Sequence, residues 1–375
     1  MQFSYNVYLR QNLFKHNIKT RNIRRLTIRI TKFSVYLPLQ VILIAQHIKH
    51  KKKMMTDKPY AIGVDIGGTN TVFGIVDKRG QILKNGSVKT GTHSSIEGFL
   101  DDLTKALEKL IEEVGTKEEV MGIGVGAPNG NYFSGCIEFA PNLRWKGVIP
   151  LVELLEERIG IPVVLTNDAN AAAIGEMTYG AARGMKDFIV ITLGTGVGSG
   201  VVANGELIYG NDGFAGELGH IIMRRTNGRL CGCGRSGCLE AYSSATGVAR
   251  TAREYLDMRP SVNSLLRLKP LETITSKDVY EAAVEGDELA KEVFEFTGQI
   301  LGEAFADFVA FTSPEAIILF GGLARSGDLI LNPIREHMEK NLLTIYKDKV
   351  KLLFSQLKES DAAVLGASAL GWEVQ

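Results

Sequence analysis

Two stretches of this chain echo one another closely enough to restrict its architecture. Val64-Asp65-Ile66-Gly67-Gly68-Thr69 is matched by Ile191-Thr192-Leu193-Gly194-Thr195-Gly196. Gly74-Ile75-Val76 with Gly80-Gln81-Ile82-Leu83 is matched by Gly200-Val201-Val202 with Gly205-Glu206-Leu207-Ile208. The offsets are 127 residues at the glycine turns and 126 at the returning strands. Each copy reads as an apolar strand, a Gly/Thr turn and a hairpin return. Glycine-rich hairpins resemble one another in unrelated proteins, but here the order of the elements matches too. The pattern predicts two related halves, each offering a glycine-rich turn to one cleft.

From Tyr60 onward, short apolar runs alternate with amphipathic stretches, the pattern of an α/β protein. Strands are predicted at 60–66, 71–76, 81–83, 121–126, 162–166, 188–193, 200–203, 316–320 and 351–354. A helix is expected to open at Ser94, with Glu97 placed for a capping box and Gly115 as its stop. One long helical interval is expected at about 278–311. The length of 375 residues exceeds what one core fills at roughly 150 residues per domain.

Charge is distributed unevenly. Residues 1–55 hold 12 Lys/Arg and no Asp or Glu, so the formal net charge of +1 hides 31 basic against 42 acidic residues beyond them. A remainder with a net charge of −11 has no basic footprint for nucleic acid. The apolar run 33–45 contains Pro38 and Gln40 and is too short to span a bilayer. A signal peptide is excluded by the length of the basic lead and by Lys51, Lys52 and Lys53 after the run. An organellar presequence shares this acid-free composition. Met54 and Met55 directly precede the globular pattern, so residues 1–53 read as upstream sequence outside the working fold.

Three features carry chemistry. The turn Asp65-Ile66-Gly67-Gly68-Thr69 offers consecutive backbone N–H groups to phosphate oxygens, with Asp65 placed to hold hydrated Mg²⁺. The turn Gly194-Thr195-Gly196-Val197-Gly198 would meet the phosphates from the other side. A tight hairpin is the plainer reading of either turn alone. Neither has the lysine of a P-loop, and the first returns as a strand where a dinucleotide fingerprint would enter a helix. Second, Thr166-Asn167-Asp168-Ala169-Asn170 ends a strand and opens an Ala-rich helix. Asp168 is there either a helix cap or a general base for a hydroxyl nucleophile. Third, His220, Cys231, Cys233 and Cys238 make a closed Cys₃His set for structural Zn²⁺. A zinc knuckle for nucleic acid fits the acidic balance poorly, and a redox pair wants two residues between its cysteines where Cys231 and Cys233 have one. Four cysteines, three of them within eight residues, suit a metal site in a reducing cytoplasmic compartment better than a disulfide scaffold.

With these motifs in hand, 61–375 resembles the ROK sugar kinases, nearest to the bacterial glucokinases of that family within the actin-like ATPase superfamily. The matching pieces are the turn at 65–69, Gly124-Val125-Gly126-Ala127-Pro128, Ala140-Pro141-Asn142-Leu143 with Trp145, Asn167-Asp168-Ala169-Asn170, and the run from Leu193 through His220. The zinc loop continuing into Leu239-Glu240-Ala241-Tyr242-Ser243 and the late Phe320-Gly321-Gly322 complete the set in the family's order. The resemblance implies an α/β, actin-like ATPase (ribonuclease H-like) fold of two related domains around a central cleft. These would be 56–175, with a C-terminal helix at about 361–375 packed on it, and a larger 176–360 with the zinc loop and a dimer surface.

It further implies ATP-dependent phosphorylation of a hexose, glucose foremost, at the 6-hydroxyl. Asp168 would be the base, with Asn142, Asn167, Glu217, His220 and Glu240 on the other hydroxyls. Gly67, Gly68, Thr69, Gly194, Thr195 and Gly196 would line the triphosphate and Gly321 with Gly322 the adenosine. Mannose, N-acetylglucosamine and N-acetylmannosamine are alternative substrates. Sugar-responsive repressors of the same family need a helix-turn-helix, and residues 1–55 show no pair of amphipathic helices. The expected partners are hexose and ATP, with no nucleic acid or membrane, in a homodimer. One stretch departs from the family pattern: after Pro128 the family continues with Gly and soon an Asp, whereas this chain reads Asn129-Gly130-Asn131-Tyr132-Phe133-Ser134. Protein begun at Met55 is expected to match the full chain in melting temperature. A loss of several degrees would make residues 1–53 part of the fold.

Overall fold

A computed structural model of the chain describes residues 58–374; the expectations for residues 1–55 lie outside the described residues. Strand β1 (Tyr60–Ile66) is buried along most of its length, as a central strand must be. It pairs antiparallel with β2 (Asn70–Asp77), which pairs antiparallel with β3 (Ile82–Lys89). On its other side β1 runs parallel to β4 (Val120–Gly126), and β4 runs parallel to β7 (Val163–Thr166). Between them, β5 (Ile137–Glu138) and β6 (Val148–Ile149) form a small ribbon.

The second sheet repeats this plan strand for strand. Its members are β8 (Phe188–Leu193), β9 (Val197–Ala203), β10 (Glu206–Leu207), β11 (Ala316–Phe320) and β12 (Lys351–Phe354). The order β10-β9-β8-β11-β12 matches β3-β2-β1-β4-β7, with the same antiparallel and parallel pairings in the same places. The echo in the sequence is therefore a duplicated five-stranded sheet.

Helices cover the sheets by their apolar faces. Helix α1 (Ile96–Glu112) buries Phe99, Leu100, Leu103, Leu107, Leu110 and Ile111 in one core with β1, β4 and α2 (Leu151–Ile159). A second core joins one face of the second sheet to α5 (Ala245–Met258), α6 (Ser276–Val284), α7 (Glu288–Thr312) and α8 (Asp328–Asn341). The remaining helices are α3 (Asp168–Tyr179), the short α4 (Glu240–Ser243) and α9 (Glu359–Gly371). Among the described residues no helix is long and apolar enough to cross a membrane.

Two expectations need correction. Ser95, not Ser94, caps α1, its hydroxyl accepting the Gly98 N–H at 3.3 Å. The expected box between Ser94 and Glu97 is one residue out of register. The interval 278–311 is two helices, because Gly286 takes the left-handed φ of +97° and Asp287 starts afresh by accepting the Ala290 N–H at 2.9 Å. Its other oxygen accepts from the Ser264 hydroxyl at 2.7 Å and the Leu265 N–H at 2.6 Å. The apolar period runs through this break, which hides it. Strands β3 and β9 also extend beyond 81–83 and 200–203, since exposed polar residues in the one and glycines in the other obscure the strand pattern.

Helix α9 returns to the first sheet and lies on β1 and β4 with no side chain between the backbones. A Cβ on Gly63 would overlap the Val364 carbonyl, and one on Gly124 the Ala367 carbonyl. Gly366 of α9 faces the Ala171 carbonyl of α3 in the same way. Gly124→Ala is accordingly expected to destabilise the protein by about 1–3 kcal/mol, the usual cost of overpacking. An unchanged denaturant midpoint would mean that α9 can lift off the sheet.

Candidate active site

The three parallel strands of the first sheet end level. Asp65 of β1 pairs across to Gly126 of β4, and Gly126 to Thr166 of β7, so the loops leaving them share one edge. Ligands of open α/β sheets bind beyond such carboxyl ends. The Gly67 N–H donates to the Asn70 carbonyl at 3.1 Å, which closes the first turn and leaves Gly68 and Thr69 at its tip. The Asn142 carbonyl covers Gly68, where a Cβ would sit 2.6 Å away. In the second turn the Gly194 N–H donates to the Gly196 carbonyl at 3.0 Å. Gly321, at φ +100°, rests on the Leu193 carbonyl beside that turn, and Gly322 borders open space.

Helix α3 links the two sheets. It leaves β7 of the first and lies against β9 of the second, where a Cβ on Gly198 would come within 2.9 Å of the Ala169 Cβ. At its start the choice between cap and base is resolved by division of labour. Asn167 is the cap, its side-chain oxygen accepting the Asn170 N–H at 2.6 Å. Asp168 is the first helical residue, bonded only locally through the Ala169 N–H at 2.9 Å. The residue is exposed at the edge where the strands end, yet protein crowds its carboxyl. That crowding pushes its pKa up, against the pull of the Ala169 N–H.

Other acids gather around it. A Cβ on Gly126 would lie 3.6 Å from both the Asp65 Oδ1 and the Asp168 Cα, so the two residues flank that glycine. Burial, and then the charge of Asp168, push Asp65 up to about 7. Burial raises Glu217 as well; His220 counters the rise and the charges of Asp168 and Glu240 add to it. Such a cluster of carboxylates is stabilised by hydroxyl donors and by a divalent cation.

The four residues of the Cys₃His set come together as the spacing predicts. Their ligand atoms all lie within 4.8 Å of one another. Cys231 Sγ is 3.8 Å from His220 Nδ1, and Cys233 Sγ is 3.7 Å from Cys238 Sγ. Those separations fit the edges of a tetrahedron around zinc, about 3.8 Å for a Zn–S bond of about 2.3 Å. Burial pushes the Cys231 thiol up to about 12 and raises Cys238 too, so a cation is what would turn them into thiolates. The set fits the ion on donor chemistry and on geometry.

Glu240 joins the regions. Its Oε2 accepts the Val197 N–H at 2.9 Å at the end of the second turn, and its Oε1 accepts from the Cys231 thiol at 3.4 Å. Three groups went unread in the sequence. The Ser199 hydroxyl donates to the Gly216 carbonyl and accepts the Leu218 N–H at 3.2 Å, which pins the loop bearing Glu217 onto β9. Arg235 donates to the His220 carbonyl. Asn131 donates to the Asp212 carbonyl at 2.7 Å. Each bond joins residues far apart in the chain, so no local pattern announces it; the departure at 129–134 was the one available signal.

Comparisons with known proteins agree with this fold. The ROK family profile matches residues 61–373. The chain is 37% identical over 323 residues to the glucokinase of Halalkalibacterium halodurans, covering 86% of this chain and 96% of that one. It is 36% identical over 311 residues to the glucokinase of Thermotoga maritima, covering 82% and 96%. A crystal structure of a ROK family glucokinase from Streptomyces griseus in complex with glucose and AMPPNP matches with a TM-score of 0.69 at 37% identity, covering 83% of this chain and 98% of that one.

Elemental analysis of purified protein is expected to find about one zinc per chain, as four ligands allow. Cys233→Ser should lose the metal and melt at a lower temperature. A metal-free wild type with an unaltered melt would leave the cysteines as plain thiols.

Proposed function

The chain belongs to the ROK family, and from that membership we propose that it is an ATP-dependent glucokinase, making glucose 6-phosphate with Asp168 as general base. The observation that carries the residue assignment is the freedom of Asp168. Asn167 relieves it of capping, and it stands where the acidic cluster meets a helix that touches both sheets.

The 6-hydroxyl of the sugar attacks the γ-phosphorus of ATP in line. Its proton passes to the Asp168 carboxylate, and the bond from the γ-phosphorus to the bridging oxygen breaks, with its electron pair leaving on ADP. A base whose pKa lies above the ordinary carboxylate range is better matched to a proton at neutral pH. Glu217, Glu240, His220, Asn142 and Asn167 hold the other hydroxyls, which donate hydrogen bonds to the carboxylates. Backbone N–H groups of Gly68, Thr69, Thr195 and Gly196 take the phosphate oxygens, those of Gly67 and Gly194 being spent on closing the two turns, while Gly321 and Gly322 leave room for the adenosine. Mg²⁺, bound at the phosphates near Asp65, would offset their charge. Asp65, held at about 7 without a cation, would ionise fully beside one. Zinc, bound by His220, Cys231, Cys233 and Cys238, would brace the sugar side by fixing the loop in which Cys238 lies two residues before Glu240. The halves 56–175 and 176–360 close on the substrates and shut out water, the competing nucleophile.

A coupled ADP-release assay across glucose, mannose, N-acetylglucosamine and N-acetylmannosamine, with a no-sugar control, tests the substrate; glucose is expected to give the highest kcat/KM. Asp168→Asn keeps the size and removes the basicity, so kcat should fall by about 10² or more with the fold intact. The wild-type kcat/KM should decline toward acid with an apparent pKa above the usual carboxylate range, a limb the variant lacks. Near-normal turnover in the variant would move the base elsewhere.

A further inference from the structure

Asp168 and Glu217 belong to different halves, so a sugar that touches both depends on how the two loops are held together. The seat of α3 on β9 sets part of that spacing. A contact of another kind adds to it, and it falls in the stretch 129–134 where this chain departs from the family pattern.

The loop after β4 crosses the end of β7. The Ala127 N–H donates to the Thr166 carbonyl at 3.0 Å, and a Cβ on Gly130 would overlap that same carbonyl. Asn131 follows, only 4% exposed, and its carboxamide works in two directions. Its Oδ1 accepts the N–H groups of Phe133 at 2.9 Å and Ser134 at 3.3 Å, which shapes its own loop. Its Nδ2 donates to the Asp212 carbonyl at 2.7 Å, in the loop after β10. Gly213, at φ +90°, lies against the carboxamide, where a Cβ would come within 2.5 Å of Oδ1.

Aromatic rings reinforce the crossing. Tyr132 stacks on Tyr209 with centroids 4.1 Å apart and planes at 16°, and Phe133 meets Tyr209 edge-on at 5.9 Å. Offset and edge-on contacts of this kind are the favourable aromatic geometries. Thr166, whose carbonyl the loop after β4 rests on, also accepts from Asn170 of α3 through its hydroxyl at 3.2 Å. One end of the contact is thus two residues from Asp168. The other end runs through Asp212 and Gly213 into Gly216 and Glu217, a loop already pinned to β9 by Ser199.

We propose that Asn131 and the Tyr132–Tyr209 stack are positioning residues, a clasp that sets the loop bearing Glu217 against the strand end bearing Asp168 and thereby governs sugar binding. The inference rests on the glucokinase reading. The nucleotide turns at 67–69 and 194–196 take no part in the clasp, so its loss should act on one substrate and spare the other.

The decisive variant is Asn131→Asp. It keeps both acceptor bonds within the loop, removes the donor to Asp212 and sets a carboxylate against that carbonyl. The expected result is a glucose KM raised about tenfold or more, with the ATP KM within about twofold of wild type. Tyr209→Leu should act alike, and Tyr209→Phe, which keeps the ring, should restore a glucose KM near that of wild type. Glucose KM values within twofold of wild type in both Asn131→Asp and Tyr209→Leu would overturn the proposal. So would an equal rise in both substrates' KM, the mark of general loosening. A wild-type protein that turns over no glucose in the same assay would instead overturn the glucokinase reading itself.

Discussion

The cleft depends on α3 lying against two sheets at once. A helix can approach a strand so closely only where side chains are small on both partners. Here Ala169 and Ala173 of α3 meet Gly198 and Gly200 of β9, while Gly175 on another side meets Gly366 of α9. This small-residue seam brings the first helical turn, with Asn167 and Asp168, up to the phosphate turn of the opposite half. With bulkier residues the same elements would form, but the carboxylate would stand away from the second glycine turn. The alanine run after Asp168 is thus as much a part of the site as the acid that precedes it.

Much of this was legible from residues alone, for a physical reason. The duplication announces itself because a strand, a glycine turn and a returning strand leave a local pattern, and the repeat fixes the order of both sheets. The Cys₃His set is legible because four potential ligands at short spacing have few other uses. What escaped notice was non-local or masked by continuity. Gly286 and Asp287 interrupt an apolar period that runs on past them. Ser94 and Ser95 are chemically the same cap, and only the backbone chooses between them. The Asn131–Asp212 bond spans 81 residues, and no periodicity signals such a pairing. Capping also concealed chemistry: Asn and Asp side by side both read as caps until the geometry assigns the duty to Asn167.

Glu240 shows how few groups separate the parts of the cleft. One oxygen holds the Val197 N–H at the end of the phosphate turn, and the other faces the Cys231 thiol of the metal set. A carboxylate committed at both oxygens has little rotational freedom, so it transmits displacement in either direction. A shift of the second turn would therefore be felt at the Cys231 thiol through a single side chain.

The two sheets are matched in plan and unmatched in charge. Where the first carries Asp65, the echo places Thr192 in the second, and Thr192 spends its hydroxyl accepting the Gly198 N–H at 3.1 Å within its own hairpin. The repeated scaffold is symmetric, but the electric field across the cleft is not. A carboxyl stands at the strand end before the first turn, and a neutral hydroxyl holds the equivalent place before the second. A single exchange of residue type between twin strands thus leaves two turns of the same backbone plan with different chemistry.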